Sequence, residues 1–267
     1  MTTILLHGLG ADRHQPLGLF SPVLTATSSS TGAPAVIALD VRAHGDSPLL
    51  GASADFALDA LAHELAASVT AVTGGTAAES EPVTLIGISM GAALALRIAL
   101  GEMLPVRRAV FVRPAFTSES LPPNLRAFPV IAELLARFGP AEGAAVFQET
   151  SLYQHVAAAS PVGARGLLAQ FTAPDAAARA VRLSEIPRNR AYRDPAELAV
   201  LATRGVPALV VAAPRDPVHP VTVAEEWAAG LGAPLLHVPA RDDGQPAQTA
   251  ALRAGVARWL NGERLND

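Results

Sequence analysis

The chain of 267 residues contains no cysteine, no lysine, and no histidine beyond His237. Without cysteine there are no disulfides, no thiolate nucleophile and no cysteine-type zinc site. Without lysine, every basic residue is arginine; with the heavy use of alanine this reads as the mark of a GC-rich genome rather than as a functional signal. Charge is sparse, at 16% of residues against 50% hydrophobic, and the net charge is −4. That balance is globular rather than disordered. It lacks the basic surface that nucleic acids or anionic membranes favour. No long apolar run occurs either. The most apolar stretch, Met90 to Leu100, is short and carries Arg97, so a membrane span is not expected. The start, Met1-Thr2-Thr3 followed at once by Ile4-Leu5-Leu6, has no basic region or cleavage site; no secretory leader and a cytoplasmic location are expected.

What is present alternates. Thr3–Leu6, Ala35–Leu39, Val83–Ile86, Ala109–Arg113, Ala208–Ala212 and Leu235–Val238 read as strands. The stretches Ala54–Thr73, Ser89–Leu100, Val221–Gly230 and Thr249–Leu260 read as helices. In the last of these Leu252, Val256, Trp259 and Leu260 share one face. Strand–helix alternation predicts an α/β domain with a mostly parallel, doubly wound sheet and right-handed crossovers. One stretch, Thr117 to Thr203, shows no convincing strand. It holds helical runs such as Val130–Phe138 and Val162–Phe171 between prolines, and is too long and apolar for a loop. It is expected to be a helical cap, 117–203, inserted into a core of 1–116 and 204–267. Ser28-Ser29-Ser30 is the one low-complexity tract. Aromatics form only 4% of the chain, yet Phe116, Phe128, Phe138, Phe147, Tyr153 and Phe171 fall in or beside the cap. With Leu121 they are candidate walls of an apolar pocket, although a cap also needs aromatics simply to pack onto the sheet.

Gly87-Ile88-Ser89-Met90-Gly91 follows an apolar strand and opens a helix. A Gly-x-Ser-x-Gly turn in that setting exposes the serine Oγ on a strained backbone, and the flanking glycines let neighbouring main chain pass close by. The helix N-terminus behind it favours developing negative charge. His7-Gly8-Leu9-Gly10 directly follows the first strand, and Asp40-Val41-Arg42-Ala43-His44-Gly45-Asp46-Ser47 the second. Pro214-Arg215-Asp216-Pro217 follows the strand after the cap.

Together these motifs resemble the α/β-hydrolase superfamily over nearly the whole chain. The resemblance implies Ser89 as nucleophile and Asp216 as the acid. It also implies an oxyanion hole shaped by His7-Gly8, with the backbone N–H groups of Leu9 and Met90 as donors. His7 and His44 are read as structural, and the Asp40–Ser47 loop, with Ala43 where the superfamily has glycine, as a support without chemistry.

One element of the pattern is missing. The superfamily's histidine follows the last strand, where this chain reads Pro239-Ala240-Arg241-Asp242-Asp243-Gly244-Gln245; the position falls on Asp242 or Asp243. Three substitutes are open: His219 in the acid loop, His237 within the last strand, or no histidine at all, with an aspartate in another role. A carboxylate is a weak base toward a hydroxyl unless its pKa is raised. Arg13 and His14 could face the pocket, and Arg113, ending a strand, could anchor an anionic substrate or serve in a buried ion pair. The functional expectation is a hydrolase of an ester, lactone or similar acyl bond of a small apolar molecule. It would act through Ser89, Asp216 and His219, with no cofactor, no metal and no macromolecular partner. A non-hydrolytic enzyme on the same fold, whether lyase, cyclase or cofactor-free oxygenase, and a non-catalytic binder are the alternatives.

Overall fold

The computed structural model describes residues 2–26, 35–75 and 81–263; Ser28–Ser30 lie outside them. Six strands form one parallel sheet: β1 (Thr2–Leu6), β2 (Ala35–Ala38), β3 (Val83–Ile88), β4 (Val106–Val112), β5 (Ala208–Ala212) and β6 (Leu235–His237), in the order β2-β1-β3-β4-β5-β6. The central strands are buried on both faces, which is why they read as unbroken apolar runs. Alternate side chains nevertheless part cleanly. Leu5, Ile86, Ile88, Val110, Val112, Leu209 and Val211 pack with Phe20, Leu252 and Val256 on one side. Ile4, Leu6, Leu85, Phe111 and Val210 pack with Leu61, Leu65, Leu94 and Trp227 on the other. The first face is covered by helices α1 (His14–Ala26) and α10 (Gln245–Leu260). The second is covered by α2 (Leu58–Thr73), α3 (Met90–Leu100) and α9 (Val221–Leu231).

In the helices that flank the sheet, sequence reading and structure differ most in three places. Helix α1 was not anticipated, because Pro16 and Pro22 both fall within it; proline is tolerated in a first turn but costly further in. The expected helix Ala54–Thr73 is divided: Ser53–Phe56 is a 3₁₀ turn, and Ala57, with ψ 134, separates it from α2. Helix α10 begins four residues before its expected start at Thr249.

Between β4 and β5 the described elements are all helical: α4 (Ala127–Gln148), α5 (Ser151–Ala159), α6 (Pro161–Thr172), α7 (Val181–Glu185) and α8 (Pro195–Thr203). Helix α4 breaks at Gly139, φ 73, before Pro140. Helix α8 packs against α9 and α3, beside the sheet. Arg179 and Arg182 fasten the α7 region to the Asp40–Ser47 loop by donating to the carbonyls of Gly45 and Ala43. Burial and the neighbouring Arg179 push the Arg182 pKa down to about 10. Among the described residues no helix is long and apolar enough to cross a membrane.

The strand order fixes where a ligand can sit. After β1 the chain moves outward to β2, then returns to the other side of β1 for β3 and continues to β6. The helices following β1 and β3 thus lie on opposite faces, and a crevice opens at the C-terminal ends of these two strands. His7-Gly8-Leu9 and Ser89 are the residues at those two ends.

Candidate active site

Ser89 joins β3 to α3 with φ 55 and ψ −111, a conformation that costs an L-residue about 1–3 kcal/mol. Two glycines make it attainable. A Cβ on Gly87 would stand 2.1 Å from the carbonyl oxygen of Gly91, and one on Gly91 2.3 Å from that of Leu6. The Ser89 N–H donates to Val112 O at 2.9 Å, locking the turn to β4. Oγ faces a cavity of about 200 Å³ whose lining includes Gly8, Leu9, Gln15, Arg113, Phe128, Gly166, Leu167, Gln170, Val218, His219 and Arg241.

His219 Nε2 lies 2.9 Å from Ser89 Oγ. The Asp216 side chain shapes the loop that brings it there. Its Oδ1 accepts the backbone N–H groups of Val218 and His219, each at 3.2 Å, and bends the segment back on itself. Asn124, just ahead of α4, holds the same loop by donating to Val218 O at 2.8 Å. His219 Nδ1 is 3.0 Å from Asp216 Oδ2, but the angle falls short of a hydrogen bond. Oδ2 also meets two guanidinium groups, Arg113 Nη1 at 3.3 Å and Arg241 Nη2 at 3.2 Å.

These contacts set the protonation states. Burial alone would raise the Asp216 pKa; the charges of His219, Arg113 and Arg241 outweigh it and hold the carboxyl well below the usual range. Burial lowers the His219 pKa. Asp216 opposes that shift and the two arginines add to it, so the imidazole is neutral at pH 7. With Nδ1 toward the carboxylate, Nε2 is the free acceptor facing Ser89 Oγ.

Of the residues singled out from sequence, Gly8, Leu9, Ser89, Arg113 and His219 line the cavity, and Asp216 lies directly behind His219. Gly8 N–H is held by Gln15 Oε1 at 2.8 Å, which fixes the turn that presents Leu9. Met90 is fully buried and opens α3, where its N–H has no carbonyl within the helix to bond. Other candidates lie elsewhere. His14 is exposed at the start of α1, and Arg13 pairs with Asp40 and Asp46. His237 is exposed on β6. His7, fully buried, accepts from Val41 N–H through Nε2 and donates from Nδ1 to Gly8 O. Of the aromatic candidate wall residues only Phe128 is among those lining the cavity; Phe147 packs against Tyr153 and Phe171.

The final loop differs from expectation. Asp242 turns away to accept from Ser160 Oγ and from Val162 N–H at 2.9 Å, and Asp243 pairs with Arg215. The residue of this loop that lines the cavity is Arg241. A 3₁₀ turn over Arg241–Asp243 decides which of three consecutive polar side chains points inward, and sequence spacing carries no signal for that. Gln170 of α6 is a second lining residue the sequence did not reveal; its buried Oε1 has no partner among the described residues.

The model of the alpha/beta hydrolase family matches residues 3–261. No curated protein matches the chain. Solved structures that resemble it include a hydrolase from Pseudomonas aeruginosa, 21% identical over 95% of this chain and 88% of that one, with a TM-score of 0.64. A thermophilic esterase from Thermogutta terrifontis is 19% identical over 98% and 90%, with a TM-score of 0.66. Est816, described as an N-acyl homoserine lactone degrading enzyme, is 17% identical over 98% and 92%, with a TM-score of 0.60. At these identities the likeness is one of fold.

Proposed function

The chain belongs to the alpha/beta hydrolase family, and within it we propose a hydrolase that cleaves an ester, lactone or similar acyl bond of a small organic molecule through Ser89. The observation that carries this reading is the 2.9 Å approach of a neutral His219 to Ser89 Oγ, with Asp216 on the far side of the ring. In the proposed reaction Ser89 Oγ attacks the carbonyl carbon while His219 Nε2 takes its proton. The oxyanion is met by the N–H groups of Leu9 and Met90. His219 then returns the proton to the leaving oxygen, which departs as an alcohol. Water, deprotonated by the same nitrogen, attacks the acyl-enzyme and frees Ser89. Asp216 keeps Nδ1 protonated and stabilises the transient imidazolium. The acid and the base come from one loop, three residues apart, in place of two loops.

The off-line angle between His219 Nδ1 and Asp216 favours a second reading. In it the cavity and backbone donors serve a lyase, cyclase or oxygenase step without a covalent serine, or binding alone. Hydrolysis of p-nitrophenyl butyrate separates the two. Under the first reading the wild type turns over, and Ser89→Ala and His219→Ala each lose about 10³-fold or more in kcat. Undiminished turnover by Ser89→Ala would transfer support to the second.

A further inference from the structure

The charges around the cavity do not balance. Two arginines line it and no carboxylate does. Asp216, just behind, is the counter-ion that Arg113 and Arg241 share, through the single atom Oδ2. The histidine between Asp216 and Ser89 is neutral, so the group carries one positive charge in excess. Asp242, next to Arg241 in the chain, is not among the residues that line the cavity. It forms no ion pair with either arginine among the described residues; its two oxygens accept from Ser160 Oγ and Val162 N–H. Both guanidinium groups are largely withdrawn from water, with side-chain exposures of 12% and 20%, and Arg241 Nε is buried without a partner among the described residues. Arg113 is held in place by a left-handed backbone, φ 48, at the end of β4, and its N–H is tied to Val211 O. A desolvated cation with unused donors beside a nucleophile is a receptor for an anion, and a planar guanidinium suits a carboxylate.

We propose that the substrate carries a free carboxylate in addition to the acyl bond that is cut, and that Arg113 and Arg241 receive it. The preferred substrate class is then a half-ester, or comparable acyl derivative, of a short dicarboxylic acid; a cavity of about 200 Å³ fits a small one. The cleavage step rests on the hydrolase reading above; the anion site does not. Binding energy from the carboxylate orients the acyl carbon at Ser89, a use of non-reacting substrate parts that favours one substrate over its neutral isostere.

The test has two arms. In the first, kcat/KM is compared for p-nitrophenyl hemiglutarate and the neutral, similarly sized p-nitrophenyl pentanoate, in wild type, Arg241→Gln and Arg241→Lys. The ratio of the two esters cancels any general damage to the site. It should favour the hemiester by about 10- to 100-fold in wild type, as expected for charge-assisted hydrogen bonds. It should fall to near unity in Arg241→Gln and partly recover in Arg241→Lys. In the second arm, glutarate binding to Ser89→Ala is measured by calorimetry, with and without Arg241→Gln. Saturable binding that Arg241→Gln weakens supports the anion site even if neither ester is hydrolysed, which would count against the hydrolase reading alone. Brisk hydrolysis of both esters without preference, together with no glutarate binding, overturns the proposal and leaves the hydrolase reading standing.

Discussion

His219 meets Ser89 because Asp216 uses its two oxygens differently: Oδ1 folds the loop and Oδ2 holds charge. Two predictions belong at this scale. The first is a pH profile. Burial lowers the His219 pKa, so activity should rise with pH through a single ionisation below the ordinary imidazole value of about 6.5 and then level off. A midpoint above 6.5 in kcat/KM would contradict it. The second concerns Asp216→Ala, which leaves Arg113 and Arg241 without their common counter-ion. Unpaired buried charge is costly, and urea unfolding should show a loss of about 3 kcal/mol, beyond the effect on rate. Ser89→Ala, which removes only a hydroxyl from a strained position, should be close to neutral in the same experiment. At this scale the sequence was legible where chemistry and chain order coincide, at Ser89 and at the loop holding Asp216 and His219. It was silent where a local turn chooses among adjacent polar residues, as at Arg241.

At the scale of elements, one tight constraint is the crossing of the end of β1 against the first turn of α3. Gly91 lies where its Cβ would strike the Leu6 carbonyl, and backbone cannot yield as a flexible side chain can. Gly91→Ala should therefore destabilise by several kcal/mol or fail to accumulate as folded protein, whereas Gly166→Ala, which meets open space on α6, should fold normally. A second joint links α6 to the loop after β6. Ser160 caps α6 by accepting from Gly163 N–H and donates to Asp242 of the loop after β6. Ser160→Ala should cost about 1–2 kcal/mol in chemical denaturation. The strands and the helices on α3, α9 and α6 were readable because burial on both faces leaves plain apolar runs. Helix α1 was hidden by its two prolines, which tertiary packing of Phe20, Val23 and Leu24 on the sheet overrides.

For the molecule as a whole, the parallel sheet and its switch point between β1 and β3 bring Gly8, Leu9 and Ser89 together, and two buried histidines and the largely buried His219 lie at or near that centre. His7, His44 and His219 all have pKa values lowered chiefly by burial. A group whose folded pKa is depressed takes up a proton more readily when unfolded. Stability is therefore undiminished above the unfolded value of about 6.5 and falls as pH drops below it. Thermal or urea midpoints should decline from pH 7 to pH 5, before most carboxylates titrate; a flat profile across that range would show that these rings are more accessible than their burial implies. The overall architecture followed from strand–helix alternation alone, because the order of elements restricts such a sheet to few arrangements. The position of a histidine beside Ser89 did not, since chain order favoured His219 over His237 without excluding a site with no histidine, and only the folded loop brings His219 to 2.9 Å from Ser89 Oγ.

The central claim is that Ser89 is activated by a histidine from the acid's own loop. The rate at which a fluorophosphonate labels Ser89, followed by peptide mass spectrometry from pH 5 to 8 in wild type and in His219→Ala, tests it most directly. The account predicts labelling confined to Ser89, rising through an ionisation below about 6.5, and slowed about 10³-fold or more in His219→Ala. Equal labelling rates in the two proteins would contradict it.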